Sequence, residues 1–305
     1  MMPPRPWAAI VGPTASGKTE LAARIAASSG YEVVSADSML VYRGMDVGTA
    51  KPDAAARSRV PHHLIDIVDP QDPFSVAAFQ KLAVVVLEQL GERGGKPLIA
   101  GGSGLYVRAM VDDLEFPSTD PEVRRGLETE AVLGGSARLY TRLQESDPAA
   151  ASKIEPANVR RTVRALEVAA VTGRQFSSFA AAWNEYPVDN VRAAGIALPT
   201  EVLRERIDRR VKGMLDSGLL DEVRSLMDAG SGGWLTSSQA IGYAEMAQHL
   251  RGELSLEDAV ATTRKRTKAL ARRQVAWFRR DPRIRWFECR DPADVTDEIA
   301  EYLDA

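Results

Sequence analysis

Eight residues near the start of the chain, Gly12-Pro13-Thr14-Ala15-Ser16-Gly17-Lys18-Thr19, have the types and spacing needed to hold a string of phosphates. The glycines let the backbone curl, so that successive N–H groups converge on phosphate oxygens at the positive end of the helix that follows. Lys18 adds a mobile cation and Thr19 a hydroxyl for a bound Mg²⁺, so the stretch reads as a phosphate-binding P-loop for a di- or triphosphate. Two further stretches carry chemistry. Asp37 and Ser38 follow the apolar run Tyr31–Ser35, at the strand edge where ligands sit in open α/β sheets. The apolar run 96–100 ends in Gly101-Gly102-Ser103-Gly104, where many P-loop hydrolases carry an Asp that orders Mg²⁺ and water. That ending argues against a motor-type ATPase. Asp37 itself has three readings: acceptor or metal-shell holder in a kinase, proton or hydrogen-bond acceptor in a transferase, or a turn residue.

These groups meet only if the right elements carry them. The run Ala8-Ala9-Ile10-Val11 before the P-loop reads as a strand, and Leu21 and Ile25 after it mark an amphipathic helix. Strand-like runs at Trp7–Val11, Tyr31–Ser35, 96–100, 194–198 and 284–287 alternate with helical stretches. The expected fold is therefore α/β with a mostly parallel sheet. A crossover helix after Pro73 carries Phe74, Phe79, Leu82, Val86, Leu87 and Leu90. From 114 to 190 no strand is readable, which predicts an all-helical insertion dividing a P-loop NTPase-like core of residues 1–113 and 191–305. Within the insertion, Asn158 starts a helix, Val159, Val163, Leu166 and Ala170 form its buried stripe, and Gly173 stops it. Arg160, Arg164 and Glu167 fall on a different, polar face. A late helix is expected to turn Leu256, Val260, Thr263, Thr267, Leu270, Gln274 and Trp277 inward, with Arg264, Lys268 and Arg272 as a basic stripe beside them. The tract Ala229-Gly230-Ser231-Gly232-Gly233 has a flexible composition.

The chain has 305 residues, 45% of them hydrophobic and 27% charged, within the range of globular proteins. Its net charge of −3 argues mildly against a nucleic-acid partner. The distribution argues the other way, because between 264 and 290 eleven Lys and Arg face only Asp281 and Glu288, and local potential steers a polyanion. No window is apolar for long enough to span a membrane, and the single cysteine, Cys289, excludes an internal disulfide. A cytoplasmic protein is expected. His62 and His63 are adjacent in an extended segment and point to opposite sides, so they do not suggest a metal site.

Taken in order, the P-loop, the stretch Asp37-Ser38-Met39-Leu40-Val41-Tyr42-Arg43-Gly44-Met45-Asp46-Val47-Gly48-Thr49-Ala50-Lys51-Pro52 and Gly101-Gly102-Ser103-Gly104-Leu105-Tyr106 closely resemble the bacterial tRNA dimethylallyltransferase family. Arg164-Ala165-Leu166-Glu167-Val168, Gly218-Leu219-Leu220-Asp221-Glu222-Val223, Gln239-Ala240-Ile241-Gly242-Tyr243 and Arg273-Gln274-Val275-Ala276-Trp277-Phe278-Arg279 extend the likeness over nearly the whole chain. The resemblance implies transfer of the dimethylallyl group of dimethylallyl diphosphate to N6 of the adenine 3′-adjacent to the anticodon, with release of diphosphate. It implies that Gly12, Pro13, Thr14, Ala15, Ser16, Gly17, Lys18 and Thr19 hold the diphosphate, with Mg²⁺ on Thr19. Asp37, Ser103 and Arg124 would be catalytic. Contacts to tRNA would come from Asp37, Ser38, Met39 and Leu40 and from Arg160, Arg161, Thr162, Val163 and Arg164, the insertion taking the anticodon stem-loop of a tRNA bound to a monomer. The chain departs from the family pattern at Ser103, where threonine is more usual, at Lys212 for an acid, at Ala244 for a lysine and at Lys268 for an arginine. Two other readings stay open: a P-loop kinase of a nucleotide or small metabolite, and prenylation of free adenine nucleotides.

Overall fold

The computed structural model describes residues 2–112, 114–229 and 237–305. Six strands, β1 (Trp7–Val11), β2 (Tyr31–Ser35), β3 (His62–His63), β4 (Lys96–Gly101), β5 (Val191–Ala197) and β6 (Ile284–Glu288), form one sheet in the order β3-β2-β4-β1-β5-β6. Every pairing is parallel. All five residues of β1 are buried, which is why its run is continuously apolar rather than alternating: helices cover both faces of a parallel sheet.

Helices α1 (Lys18–Ser29), α2 (Ala54–Arg59), α3 (Val76–Glu92) and α4 (Gly104–Val111) follow the first strands. A helical stretch comes next, with α5 (Pro121–Gly134), α6 (Ser136–Ser146), α7 (Pro148–Ala151) and α8 (Val159–Thr172). Between β5 and β6 lie α9 (Thr200–Asp216), α10 (Leu219–Asp228), α11 (Tyr243–Leu250) and α12 (Leu256–Phe278), and α13 (Thr296–Asp304) ends the chain. Leu21, Ala22, Ile25 and Ala26 of α1 pack with Ile299 and Leu303 of α13 against β1 and β4. This core anchors the helix that carries Lys18.

The chain divides into two compact units, residues 1–112 with 187–305, and residues 113–186. The insertion expected from the sequence runs to 190, but its last four residues belong to the first unit. A 3₁₀ turn at Val188–Asn190 leads into β5, and the Asn190 side chain accepts from Arg5 at 2.7 Å. Strand β5 also starts three residues before its apolar run, since Arg192 interrupts the hydrophobic pattern while Val191 still pairs with Trp7. Strand β3 is too short to show a period, so the sequence pattern does not reveal it.

Two helix faces differ from expectation. In α12 the buried residues are Ala259, Thr263, Ala271 and Phe278, whereas Leu256 and Trp277 are exposed. In α3 they are Phe79, Ala83, Leu87 and Leu90, and Leu82 is exposed. In α12 small residues, Ala259 and Ala271 among them, define the inward face, and a reading weighted to large apolar residues misplaces it; in α3 the expected Phe79, Leu87 and Leu90 do face inward, with Ala83 between them. The glycine-serine tract from 230 to 233 lies outside the described residues. Among the described residues, no helix is long and apolar enough to cross a membrane.

Candidate active site

Sheet register brings three loops to one place. Val11 pairs with Gly101 and Ser35 with Ala100, so the loops after β1, β2 and β4 leave the sheet side by side at its carboxyl edge. In the first loop Ala15 has φ +63° and Gly17 φ +86°, left-handed conformations of the kind that shape anion-binding nests. Lys18 opens α1, is buried, and donates to the Pro13 carbonyl at 3.2 Å. Burial lowers its ammonium to a pKa of about 8; Asp37 opposes that shift and Arg210 adds to it. The Ser16 hydroxyl is buried without a hydrogen-bond partner. A desolvated cation and an orphaned hydroxyl in one loop mark a site built for an anion.

The second loop is held by the third. Ser103 sits at the N-cap of α4, yet its hydroxyl makes no capping bond. Instead its Oγ accepts from the Ser38 N–H at 3.2 Å and donates to the Ser38 hydroxyl at 3.3 Å. A serine drawn away from its cap gives up local stabilisation for another contact, and here that contact fixes the residue after Asp37. Gly101 permits the approach, because a Cβ there would lie 2.2 Å from the Ala36 carbonyl oxygen. Asp37 Oδ1 accepts from the Met39 N–H at 2.9 Å, so the carboxylate is oriented by its own turn, as the turn-residue reading expects.

Of two further residues at the site, Arg210 gave no readable signal and Gln274 was expected only to face inward on its helix. Arg210, on α9, donates to the Thr49 carbonyl at 2.8 Å; burial pulls its guanidinium below the usual value, and Asp37 counters the shift. Its neighbours Arg204, Glu205, Arg206, Asp208 and Arg209 make the segment look like a solvated helix face. Gln274, on α12, accepts from the Thr14 N–H at 2.8 Å and donates to the Gly102 carbonyl at 2.9 Å, bracing the P-loop against the Ser103 loop.

The helical unit gathers its cations differently. Glu167, expected on a polar face, is fully buried. It accepts from Arg124 at 2.7 Å, from Arg164 at 2.8 Å and from the Asp120 N–H at 3.0 Å. These donors hold its carboxyl below the usual range against the opposing effect of burial. Arg164 also donates to the Pro117 and Ser118 carbonyls. Arg160 and Arg161 are exposed, whereas Thr162 and Val163 are buried, Val163 within the unit's apolar core. The last two space the arginines and offer no surface of their own. Much of the basic stripe on α12 is internally paired: Lys268 meets Asp208 at 2.8 Å, Arg264 approaches the same carboxylate, and Arg266 pairs with Glu245.

A family model described as IPP transferase matches residues 40–281. A protein of Kineococcus radiotolerans described as a tRNA dimethylallyltransferase is 47% identical over 307 residues, covering 98% of this chain and 96% of its own. One of Desulforudis audaxviator with the same description is 44% identical and covers 100% and 99%. The chain belongs to the IPP transferase family. The family's fold is likewise shared with the crystal structure of a full-length tRNA isopentenylpyrophosphate transferase from Bacillus halodurans, which is 39% identical with a TM-score of 0.69, covering 98% of this chain and 96% of that one. A eukaryotic dimethylallyltransferase described as acting on tRNA superposes with a TM-score of 0.78 at 26% identity, over 97% of this chain and 76% of its own.

The matched segment begins after Asp37, so the P-loop is covered by the full-length relatives and not by the family model. Three of the departures from the family pattern lie in helices away from the three loops. Lys212 pairs with Asp216 on the surface, Ala244 lies in the first turn of α11, and Lys268 is held by Asp208. Ser103 is the departure that falls inside the site.

Proposed function

We propose that this chain transfers the dimethylallyl group of dimethylallyl diphosphate to N6 of the adenosine 3′-adjacent to the anticodon of tRNA, releasing diphosphate. The observation that carries this reading is the convergence of a desolvated Lys18, Arg210, Asp37 and the Ser103 hydroxyl where β1, β2 and β4 end, in a chain whose full-length relatives bear that description.

The P-loop and Lys18 hold the diphosphate, with Arg210 as a second cation. As the allylic C–O bond breaks, the electron pair stays on the diphosphate oxygen, and the two cations meet the growing charge. The N6 lone pair forms the new C–N bond and Asp37 accepts the N6 proton, so atoms and charge balance. Adenine N6 is a weak nucleophile, so positioning matters most: the Met39 N–H orients the Asp37 carboxylate, and the Ser103 hydroxyl fixes Ser38 beside it. Among the described residues no group of three or more His, Cys, Asp or Glu is arranged to bind a metal. Mg²⁺ is usually shared between substrate phosphates, water and few protein ligands, and the Thr19 hydroxyl would be its ligand from this chain. When bound, the ion neutralises diphosphate charge. Arg160 and Arg161 contact the anticodon stem-loop, with Arg164 held beside them by Glu167; Arg124, to which the resemblance gives a catalytic role, pairs with the same carboxylate. The protein works in the cytoplasm as a monomer.

The test is incubation with Mg²⁺, labelled dimethylallyl diphosphate and unmodified tRNA carrying an A-A-A run at the anticodon-loop position, with AMP and ATP in separate reactions. Label is expected on tRNA and not on AMP. Label on AMP alone, or ATP turnover without transfer, would overturn the reading.

A further inference from the structure

The turn formed by residues 46–49 lies further along the loop after β2, before α2 begins, and it meets the site through one bond: its Thr49 carbonyl accepts from the Arg210 guanidinium at 2.8 Å. What holds the turn is unusual in its concentration of donors. The N–H groups of Asp46 and Val47 donate to Glu222 Oε2 at 2.9 and 2.8 Å, and that of Gly48 to Oε1 at 3.1 Å. The Tyr243 hydroxyl donates to the same Oε1 at 2.6 Å. Four donors thus saturate one carboxylate, two on each oxygen. Three successive backbone N–H groups facing one point form an anion-binding concavity, and Glu222 fills it from within the chain.

Tyr243 is fitted to the turn as well as bonded to Glu222. A Cβ on Gly48 would lie 2.4 Å from the tyrosine ring, so the ring rests directly on the backbone. Burial and the Glu222 charge push the phenol above its usual value, which keeps the hydroxyl protonated and donating. Glu222 comes from the first turn of α10, Tyr243 from the start of α11 and Arg210 from α9. Three helices therefore meet on one turn, and only one of them carries a group that faces the diphosphate site.

We propose that Glu222 and Tyr243 are positioning residues for that site: they lock the 46–49 turn, and its Thr49 carbonyl sets the place of the Arg210 guanidinium. The inference rests on the reading of Arg210 as a diphosphate-binding cation. A glutamine at 222 has one oxygen for four donors and turns an amide N–H₂ toward the rest, which displaces the turn. A misplacement of that kind is transmitted to Arg210 and not to the P-loop, whose brace is Gln274.

The experiment is equilibrium binding of inorganic diphosphate, followed by steady-state kinetics, on the full chain carrying Glu222→Gln, Tyr243→Phe, Arg210→Ala, and the Glu222→Gln/Arg210→Ala and Tyr243→Phe/Arg210→Ala double variants. Glu222→Gln is expected to weaken diphosphate binding and to lower kcat/KM for the allylic donor by about 10- to 100-fold, with Tyr243→Phe doing the same to a smaller degree. The KM for tRNA should stay within about twofold, and neither substitution should cost anything further once Arg210 is alanine, since residues acting through one group are not additive. Undiminished diphosphate binding in both single variants, or an equal loss in the Arg210→Ala background, would overturn the inference. If Arg210→Ala itself leaves diphosphate binding unchanged, the reading of the site fails and takes the inference with it. If Glu222→Gln fails to fold, Tyr243→Phe, which removes one hydroxyl and leaves the carboxylate and its three backbone donors, carries the same test alone and in the Arg210→Ala background.

Discussion

Both units of this protein gather positively charged side chains, and they do so by opposite means. At the candidate site of the α/β unit the cations are few and desolvated: Lys18 is buried, and burial lowers both it and Arg210. Their geometry is set by backbone, through left-handed residues 15 and 17 and a glycine at 101 where no other residue fits. In the helical unit the arginines stand on helices at the surface, and the buried group is their counter-ion, Glu167. A small, highly charged diphosphate released at a reacting centre calls for the first arrangement, where low dielectric strengthens each interaction. A long polyanion held along its backbone calls for the second, in which many solvated contacts add and salt weakens them.

If the contrast is sound, the two regions fail separately. The largest effect is expected from Asp37→Asn, which should lower the transfer rate by about 10²- to 10⁴-fold while leaving tRNA and diphosphate binding near parental values. Near-normal turnover at saturating substrates would remove Asp37 from the mechanism. A smaller effect should come from pH. Lys18 is charged below a pKa of about 8 in the free protein, and an anion beside it raises that value, so binding takes up a proton above pH 8. Affinity for inorganic diphosphate should therefore fall as pH rises from 8, by at most about tenfold per unit from this group, and Lys18→Met should remove that contribution, leaving only the slope due to the ligand's own ionisation. The smallest effect is expected from Arg160→Ala with Arg161→Ala. It should weaken tRNA binding and make its salt dependence shallower, the slope falling by about one for each phosphate that the variant no longer neutralises, with diphosphate affinity unchanged. A shift in diphosphate affinity there would show the two regions to be one electrostatic unit.

The local parts of this molecule were legible in the residues. A strand, a glycine-flanked loop and an amphipathic helix are contiguous, so the P-loop could be read from a single short stretch, and the helix over Val159–Thr172 announced itself by its Asn158 cap and its Gly173 stop. Faces were less legible. Glu167 looks like a surface residue beside Arg164 until Arg124, 43 positions away, closes over it. Arg264 and Lys268 look like a free basic stripe until Asp208 of α9 takes them up. Arg210 gave no signal and Gln274 only an inward face, because their partners Thr49 and Thr14 are 161 and 260 residues distant.

The residues alone determined that a phosphate-binding loop would stand at the end of a buried strand, with an acid and a hydroxyl on two other strand ends, because backbone conformation and amphipathic period are short-range properties. Tertiary structure decided which charges remain available to a ligand. Whether a cation is desolvated, neutralised by a carboxylate or held open to solvent depends on contacts between distant elements, and the sign and exposure of a side chain cannot be read until those elements have packed.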